Sequence, residues 1–288
     1  ACAETGADYL DLTGEPEFVD RMFLDHGKTA EASGARIIHA CGFDSIPHDL
    51  GAQFTVEHLP DDQPLRVAGY VSAGGTLSGG TFASALTAFG RVRQMASAHS
   101  ERLRAEGPGD GRRVKAVTGQ PGYDRAVGKW VLPFPSLDPQ VVAHSARALP
   151  EYGPDFSYSH YIALSNPVTA AGIAVGVGGL VALAQLPPAR TALQRLRPSG
   201  SGPSAEQREK GWFSVRFVGT AADGTTVRTE VRGGDPGYGE TSKMLAESAL
   251  CLALDDLPST AGSVTTATAM GPALRKRLAA NGISFTLR

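Results

Sequence analysis

The chain has 288 residues, 42% of them hydrophobic and 19% charged, enough apolar surface for a full core in one or two globular domains and too much for a disordered chain. A formal net charge of −2 with an isoelectric point near 6.4 gives no global attraction to a polyanion, and no nucleic-acid motif is present, so nucleic-acid binding is set aside. Three widely separated cysteines, Cys2, Cys41 and Cys251, argue against a disulfide framework and for a reducing, cytoplasmic compartment.

In chain order, the opening "ACAETGADYLDLTGE" carries neither the basic nor the apolar region of a signal peptide. Tyr9 to Leu12 is a short apolar run that predicts a strand. Pro16 suits the first turn of a helix, whose one-sided stripe of Phe18, Val19, Met22, Phe23 and Ala30 is stopped by Gly34. Arg36 to Ala40 predicts a second strand, and Ser45-Ile46-Pro47 opens a helix through Leu50 and Phe54. Strand, helix, strand, helix is the order of parallel strands joined by a crossover, so both strands end on one edge of the sheet.

Ligands of open parallel sheets bind beyond the carboxyl ends of the strands. Here those ends are Asp11-Leu12-Thr13-Gly14-Glu15 and Cys41-Gly42-Phe43-Asp44-Ser45. Gly14 and Gly42 let a flat ring or a phosphate approach the backbone, while Asp11, Glu15 and Asp44 offer carboxylates to hydroxyls or amides. The plain alternative is turn glycines beside solvated acids.

Further on, Leu65 to Ser72 predicts a strand. Ser78-Gly79-Gly80-Thr81 leads into a helix with Phe82, Leu86 and Phe89 on one face, and either presents backbone N–H groups to a carbonyl or phosphate or forms a simple tight turn. "EGPGDGRR", 106 to 113, is a surface loop, and "VLPFPSLDPQVV", 131 to 142, is too Pro-rich for a helix. Tyr152, Phe156, Tyr158 and Tyr161 read as core. Residues 168 to 186 carry no charge over about the ~20 residues that span a bilayer. Three readings stay open for this helix: spanning, lying in an interface or against a lipid substrate, and buried in the core. Gly172 and Gly176 form a G-x-x-x-G pair within it, and Arg190, Arg195 and Arg197 follow it. "RPSGSGPSAEQREKG", 197 to 211, reads as a mobile polar loop.

Residues 212 to 233 form the clearest hairpin, turning at Asp223-Gly224. A glycine loop then leads to a helix capped near Thr241, with Cys251 in the core and Tyr238 as a candidate hydroxyl donor to a substrate carbonyl. His39, Cys41, Asp44, His48 and Asp49 are metal ligands by type, yet no C-x-x-C or H-E-x-x-H spacing occurs, so no metal is expected. His39 reads as a hydrogen-bonded core residue, and Cys41 has no activating base other than His39. A metal-dependent hydrolase built on His39, Cys41, Asp44 and His48 is the weaker alternative, and a non-catalytic lipid-binding scaffold is another.

The segments "YLDLTGE" (9 to 15), "GARIIHACGFDSIPHDLG" (34 to 51), "GGT" (79 to 81), "GDPGYGET" (234 to 241) and "TATAMGPALRKRLAANGISFTL" (266 to 287) resemble the saccharopine dehydrogenase-like oxidoreductases, most closely their trans-acting enoyl reductase branch. The resemblance implies an α/β fold in three parts. Residues 1 to 60 would be the C-terminal half of a Rossmann-type parallel sheet, and 61 to 250 an α+β domain with a mixed sheet carrying substrate and dimer contacts. Residues 251 to 288 would pack back on the first part. The glycine turn that receives a dinucleotide pyrophosphate does not precede Ala1, so the chain is expected to be the C-terminal two-thirds of such an enzyme.

The resemblance further implies hydride transfer from NADP(H) to an enoyl or carbonyl group of a lipid-like acyl substrate, free or carrier-bound, in glycolipid biosynthesis. Peripheral contact with the inner face of the plasma membrane would go with that role. On these motifs Asp44 and Tyr238 are the catalytic candidates. Asp11, Thr13, Gly14, Glu15, Gly42 and Phe43 would bind the cofactor, and Ser78, Gly79, Gly80 and Thr81 the substrate.

Overall fold

The computed structural model describes residues 1–74, 79–107, 111–134, 136–196 and 202–288. A short helix α1 (Cys2–Thr5) precedes β1 (Tyr9–Leu10), α2 (Pro16–Ser33), β2 (Arg36–Ile38) and α3 (Ile46–Val56). Then come β3 (Leu65–Gly74), α4 (Gly79–Gly90), α5 (Val92–Glu106), β4 (Arg113–Ala116), β5 (Gly122–Asp124), β6 (Lys129–Pro133) and α6 (Asp138–Ala148). A 3-10 turn at Pro150–Tyr152 leads to β7 (Asp155–Leu164), α7 (Pro167–Ala184), α8 (Pro187–Leu196) and α9 (Ala205–Glu209). The chain ends with β8 (Trp212–Ala221), β9 (Thr226–Gly233), α10 (Gly239–Leu254), β10 (Gly262–Val264), α11 (Thr266–Ala269), α12 (Gly271–Ala280) and β11 (Ser284–Leu287).

Two sheets result. The smaller has the order β1-β2-β10, all parallel, with Tyr9 opposite Ile37 and Ser263 opposite the same residue on the other side. The larger has eight strands, in the order β11-β9-β8-β3-β7-β6-β5, with β4 pairing β7 alongside β6. It is mixed: β3 runs parallel to β7 and antiparallel to β8. The fold is thus α/β, with β10 joining the small sheet and β11 the large one.

The local signals near the start act as expected. Pro16 occupies the first turn of α2, and Gly34 ends it at φ 83°, a conformation that costs a glycine nothing. β1 and β2 are shorter than their apolar runs because Asp11 interrupts them. Its carboxylate accepts the Ala40 N–H at 3.1 Å and its carbonyl the Cys41 N–H at 2.7 Å, which bends the chain at Ala40 to φ 60°. The hairpin also forms as read, with Gly224 at φ 92° in the turn between β8 and β9.

One continuous core joins the two sheets through α3. Ile46, Leu50 and Val56 of that helix pack with Ile38 of β2 and with Phe156, Tyr158, Phe213, Phe217 and Val231 of the large sheet. Tyr152, Phe156 and Tyr158 are fully buried, and so is Cys251. Burying such side chains contributes roughly 1.5–3 kcal/mol each, so α3 is one of the elements that hold the sheets together.

Four expectations are corrected. Residues 138 to 148 form α6 although the stretch is Pro-rich, because Pro139 falls in the first turn, where its missing N–H has no partner to lose. α10 begins at Gly239, so Thr241 sits inside its first turn and donates to the Pro236 carbonyl at 2.7 Å instead of capping it. Within the polar stretch at 197 to 211, residues 197 to 201 lie outside the described residues, but Ala205–Glu209 is helical. Ser204 and Gln207 there form a reciprocal capping box. Finally, the reading of 168 to 186 as a buried helix fails: in α7 only Ala170 and Ala184 are buried, while Val168 and Val175 are 79% and 77% exposed.

Candidate functional site

The loops after β1 and β2 lie side by side, laced together by Asp11. Its Oδ2 is 2.6 Å from His39 Nδ1, and its Oδ1 accepts the N–H groups of Thr13 at 3.0 Å and Ala40 at 3.1 Å. Burial alone would raise the Asp11 pKa. The hydrogen bond and charge of His39 and the two N–H donors outweigh it, so the carboxyl stays below its ordinary value. His39 is buried and hydrogen-bonded as expected, with Tyr9 and Phe18 edge-on to its ring at 5.9 and 5.5 Å.

Beyond Asp11 the first loop builds a wall of hydroxyls and carboxylates. Thr13 donates to Glu15 Oε2 at 2.6 Å, and Ser84 of α4 donates to Glu15 Oε1 at 2.6 Å. Asp44 of the second loop faces Gly14, where an added Cβ would fall 3.2 Å from Asp44 Oδ2. Although the Asp44 side chain still reaches solvent, the protein packed around it and then the Glu15 charge raise its pKa.

Gly42 is required by close approach: a Cβ there would meet Leu12 at 2.9 Å and Thr241 at 3.0 Å. Phe43 donates its N–H to Thr241 Oγ1 at 3.1 Å, and its ring packs on Phe213 at 4.9 Å. The 234 to 241 loop is thereby fixed against the second crevice loop.

Asp11, Thr13, Gly14, Glu15, Gly42, Phe43 and Asp44 therefore share one crevice, as the sequence order anticipates. Tyr238 stands apart from them at the N-cap of α10, where its ring fills the space a Cβ on Gly202 would need. Ser78 lies outside the described residues. Gly79, Gly80 and Thr81 form the first turn of α4, the helix that also supplies Ser84.

The hydrolase set does not assemble. Cys41 is fully buried with its thiol against the carbonyls of Ile38 and His39, and burial pushes its pKa far up, so no thiolate is offered. His48 points away from His39 and Cys41 to meet Asp138 and His160, two residues that the sequence reading did not single out. Thr241 and Ser84 were also missed as crevice partners; Thr241 at least lies within a segment singled out for its resemblance, "GDPGYGET".

With the crevice described, relatives can be compared. A "putative trans-acting enoyl reductase" of Mycobacterium tuberculosis is 34% identical over 314 residues, which span 99% of this chain and 75% of that protein. A trans-acting enoyl reductase of the same organism is 33% identical over 98% of this chain and 74% of its own length. The chain belongs to the trans-acting enoyl reductase family. Its counterpart in Mycobacterium ulcerans, also named a trans-acting enoyl reductase, is 29% identical over 98% of the chain and 74% of that protein. No protein-family profile matches the chain.

A nicotinamide dinucleotide is the cofactor that such an oxidoreductase implies. Asp44 lies over Gly14, and Leu12 and Thr241 over Gly42, so the chain's own side chains occupy the close approaches those glycines allow, while Thr13 and Glu15 carry oxygens of the kind that meet ribose hydroxyls or a carboxamide. The pyrophosphate end is not matched by the described residues of these loops. Both helix N-termini on the crevice, at Glu15 before α2 and Asp44-Ser45 before α3, carry a carboxylate where a phosphate would need a bare N–H cradle or a cation.

Proposed function

We propose that this chain is an NADPH-dependent reductase of the saccharopine dehydrogenase-like type, acting on the enoyl group of a lipid-like acyl substrate in glycolipid assembly. The observation that carries the reading is the pair of carboxylate- and hydroxyl-bearing loops brought together at the ends of β1 and β2. The family membership supports reduction of an enoyl group, since the relatives bear that activity in their names.

The cofactor, when bound, supplies a hydride. Asp11 holds the two loops together and keeps the Ala40 bend. Thr13 and Glu15 orient ribose or amide groups, and Gly42 lets the second loop pack against Leu12 and Thr241 beside Phe43. Asp44, whose carboxyl keeps its proton to a higher pH than an ordinary aspartate, donates a hydrogen bond or proton to the oxyanion that develops at the substrate carbonyl. Tyr238 is a second hydroxyl of the kind needed, on a loop fixed to Phe43 through Thr241.

The acyl chain would lie along α7, which packs on α4 and exposes an uncharged face. The same face would hold the protein against the inner leaflet of the plasma membrane, and on this reading the protein is cytoplasmic and peripheral. A non-catalytic lipid-binding scaffold is the second reading, and the exposure of α7 is what favours it.

Titration of the chain with NADPH, read by quenching of Trp212 and Trp130 emission, tests the proposal. Trp212 packs over Gly74 at the end of β3, just ahead of α4. Saturable quenching that weakens about tenfold in Asp11→Asn, the loss of one charge-assisted contact, is expected. A folded chain that binds acyl lipid but never NADPH would transfer the case to the scaffold.

A further inference from the structure

His48 of α3, Asp138 in the first turn of α6 and His160 of β7 converge on one point in the core. Their side chains are 3%, 3% and 1% exposed. His48 Nε2 lies 3.8 Å from Asp138 Oδ1, and His160 Nε2 lies 3.4 Å from Asp138 Oδ2; the three donor atoms are all within 4.8 Å of one another. No hydrogen bond joins them. Asp138 Oδ1 and His160 Nε2 are buried with no partner among the described residues, and buried polar atoms are rarely left so; the unpartnered nitrogen of His48 is Nδ1, not the Nε2 that faces Asp138.

The separations discriminate between two explanations. A direct hydrogen bond would bring these atoms to about 2.7–3.2 Å. Three donors bound tetrahedrally to one cation at about 2.0–2.2 Å stand roughly 3.4 Å apart. The His160–Asp138 separation of 3.4 Å is of the second kind, and the others, 3.8 Å for His48–Asp138 and within 4.8 Å across the set, are wider than a hydrogen bond.

The surroundings also hold these donors in place. The Tyr158 hydroxyl sits 3.1 Å from His160 Nδ1, and Ser136 donates to Asp138 Oδ2 at 2.5 Å, the outer contacts that orient ligating imidazoles and carboxylates. Tyr158 reaches that position only because residue 69 is glycine: a Cβ there would fall 2.3 Å from its hydroxyl. Phe43 and Phe134 close the site, 5.7 Å from the His48 ring and 5.9 Å from the His160 ring.

We propose that His48 Nε2, Asp138 and His160 Nε2 bind one divalent transition-metal cation, Zn2+ by the chemistry of the set, which clamps α3, α6 and β7 together beneath the crevice. Two nitrogens and one carboxylate suit Zn2+, whereas Mg2+ and Ca2+ take oxygen ligands. Binding through these three side chains leaves a fourth tetrahedral position for water. The three ligands of the clamp are not crevice residues and NADPH does not enter it, so it stands apart from the reductase reading, although Phe43 of the crevice packs on His48.

The test is a titration of the full chain, stripped with a chelator, by Co2+ and Zn2+. One equivalent of Co2+ should give the visible absorption of a tetrahedral site without a thiolate-to-cobalt band, and Zn2+ should raise Tm. The near-isosteric Asp138→Asn and His160→Gln variants, checked for fold by circular dichroism, should lose both signals. A folded wild-type chain with no cobalt absorption and no Zn2+-dependent Tm shift would overturn the proposal. So would a thiolate band, or a signal that survives in Asp138→Asn. If either variant does not fold, the wild-type titration alone decides.

Discussion

Helices α3 and α7 are placed opposite to their composition. α3 carries His48, Asp49 and Gln53, yet ten of its eleven residues are buried. α7 has a mean hydropathy of 1.9 over eighteen residues and is only 11% buried. Burial here follows satisfied hydrogen bonding and chain connection more than hydropathy. α3 is delivered from the end of β2 directly onto the large sheet, and several of its polar groups find partners, though His48 Nδ1 and Gln53 Oε1 do not. Asp49 accepts from the Ser145 hydroxyl at 2.5 Å, the Thr266 hydroxyl at 2.7 Å and the Ala267 N–H at 2.8 Å, and Thr55 meets Thr229 at 2.7 Å. α7 follows β7 onto the α4, α8 and β6 side and leaves most of its apolar surface uncovered, the pattern of a surface that meets something else.

The largest effect should come from removing the acceptor that lets α3 be buried. Asp49→Ala leaves the Thr266 hydroxyl and the Ala267 N–H without their acceptor, Ser145 retaining Thr265 at 2.6 Å, at roughly 1–3 kcal/mol each where they cannot reach water, so a loss of about 2 kcal/mol or more is expected in urea unfolding. A loss below about 1 kcal/mol would mean that α3 is held by apolar packing alone, and the contrast with α7 would need another basis.

The same substitution should then have opposite signs in the two helices. In α3, Gly51→Ala puts a Cβ 2.3 Å from the Phe217 ring and 2.9 Å from Val231, an overpacking that costs about 1–3 kcal/mol. In α7, Gly172→Ala meets nothing within 4 Å and gains helix propensity of roughly 0.5–1 kcal/mol. Paired thermal melts check this, and equal signs would refute the placement of one helix or the other.

Much of this was legible in the sequence where signals are local. Pro16 and Gly34 bound α2, the Asp223-Gly224 turn sets the hairpin, and the order of the first four elements places two loops on one sheet edge. α6 was hidden by its prolines, because proline content does not say whether a proline falls in the first turn. The cluster of His48, Asp138 and His160 was not legible at all. Its members are 90 and 22 residues apart on three elements, so no spacing rule joins them, and only the packing of α3 and α6 against β7 brings them together. The position of α7 was equally out of reach, since an uncharged run of eighteen residues reads the same whether covered or bare.

The crevice offers a smaller test of buried polarity, with a definite sign in pH. Asp11 is depressed below its ordinary carboxylate pKa by His39 and two N–H donors, against the effect of burial. A depressed folded value means that Asp11 contributes stability above its unfolded pKa, near 3.9, and loses that contribution as pH falls through the lower folded value. Asp11→Asn should therefore cost about 1 kcal/mol at neutral pH, part of the interaction being screened by solvent. Unfolding midpoints of variant and wild type should converge as pH drops below the folded value. A difference that persists unchanged into acid would show that the side-chain shape, and not its charge, holds the Ala40 bend.

The smallest effect on stability should come with the largest change in association. Val175 is 77% exposed on α7, so Val175→Asp removes little buried surface and should shift unfolding by no more than about 0.5 kcal/mol. The same charge, set in the middle of an uncharged helix, opposes insertion of that face into hydrocarbon. Sedimentation with phospholipid vesicles should show the wild type bound and Val175→Asp released, while Leu50→Asp in α3 fails to fold. If Val175→Asp unfolded the protein, α7 would be covered by the rest of the chain. If it stayed folded and still bound vesicles, the membrane contact would lie elsewhere, and the apolar face of α7 would be left to the acyl substrate alone.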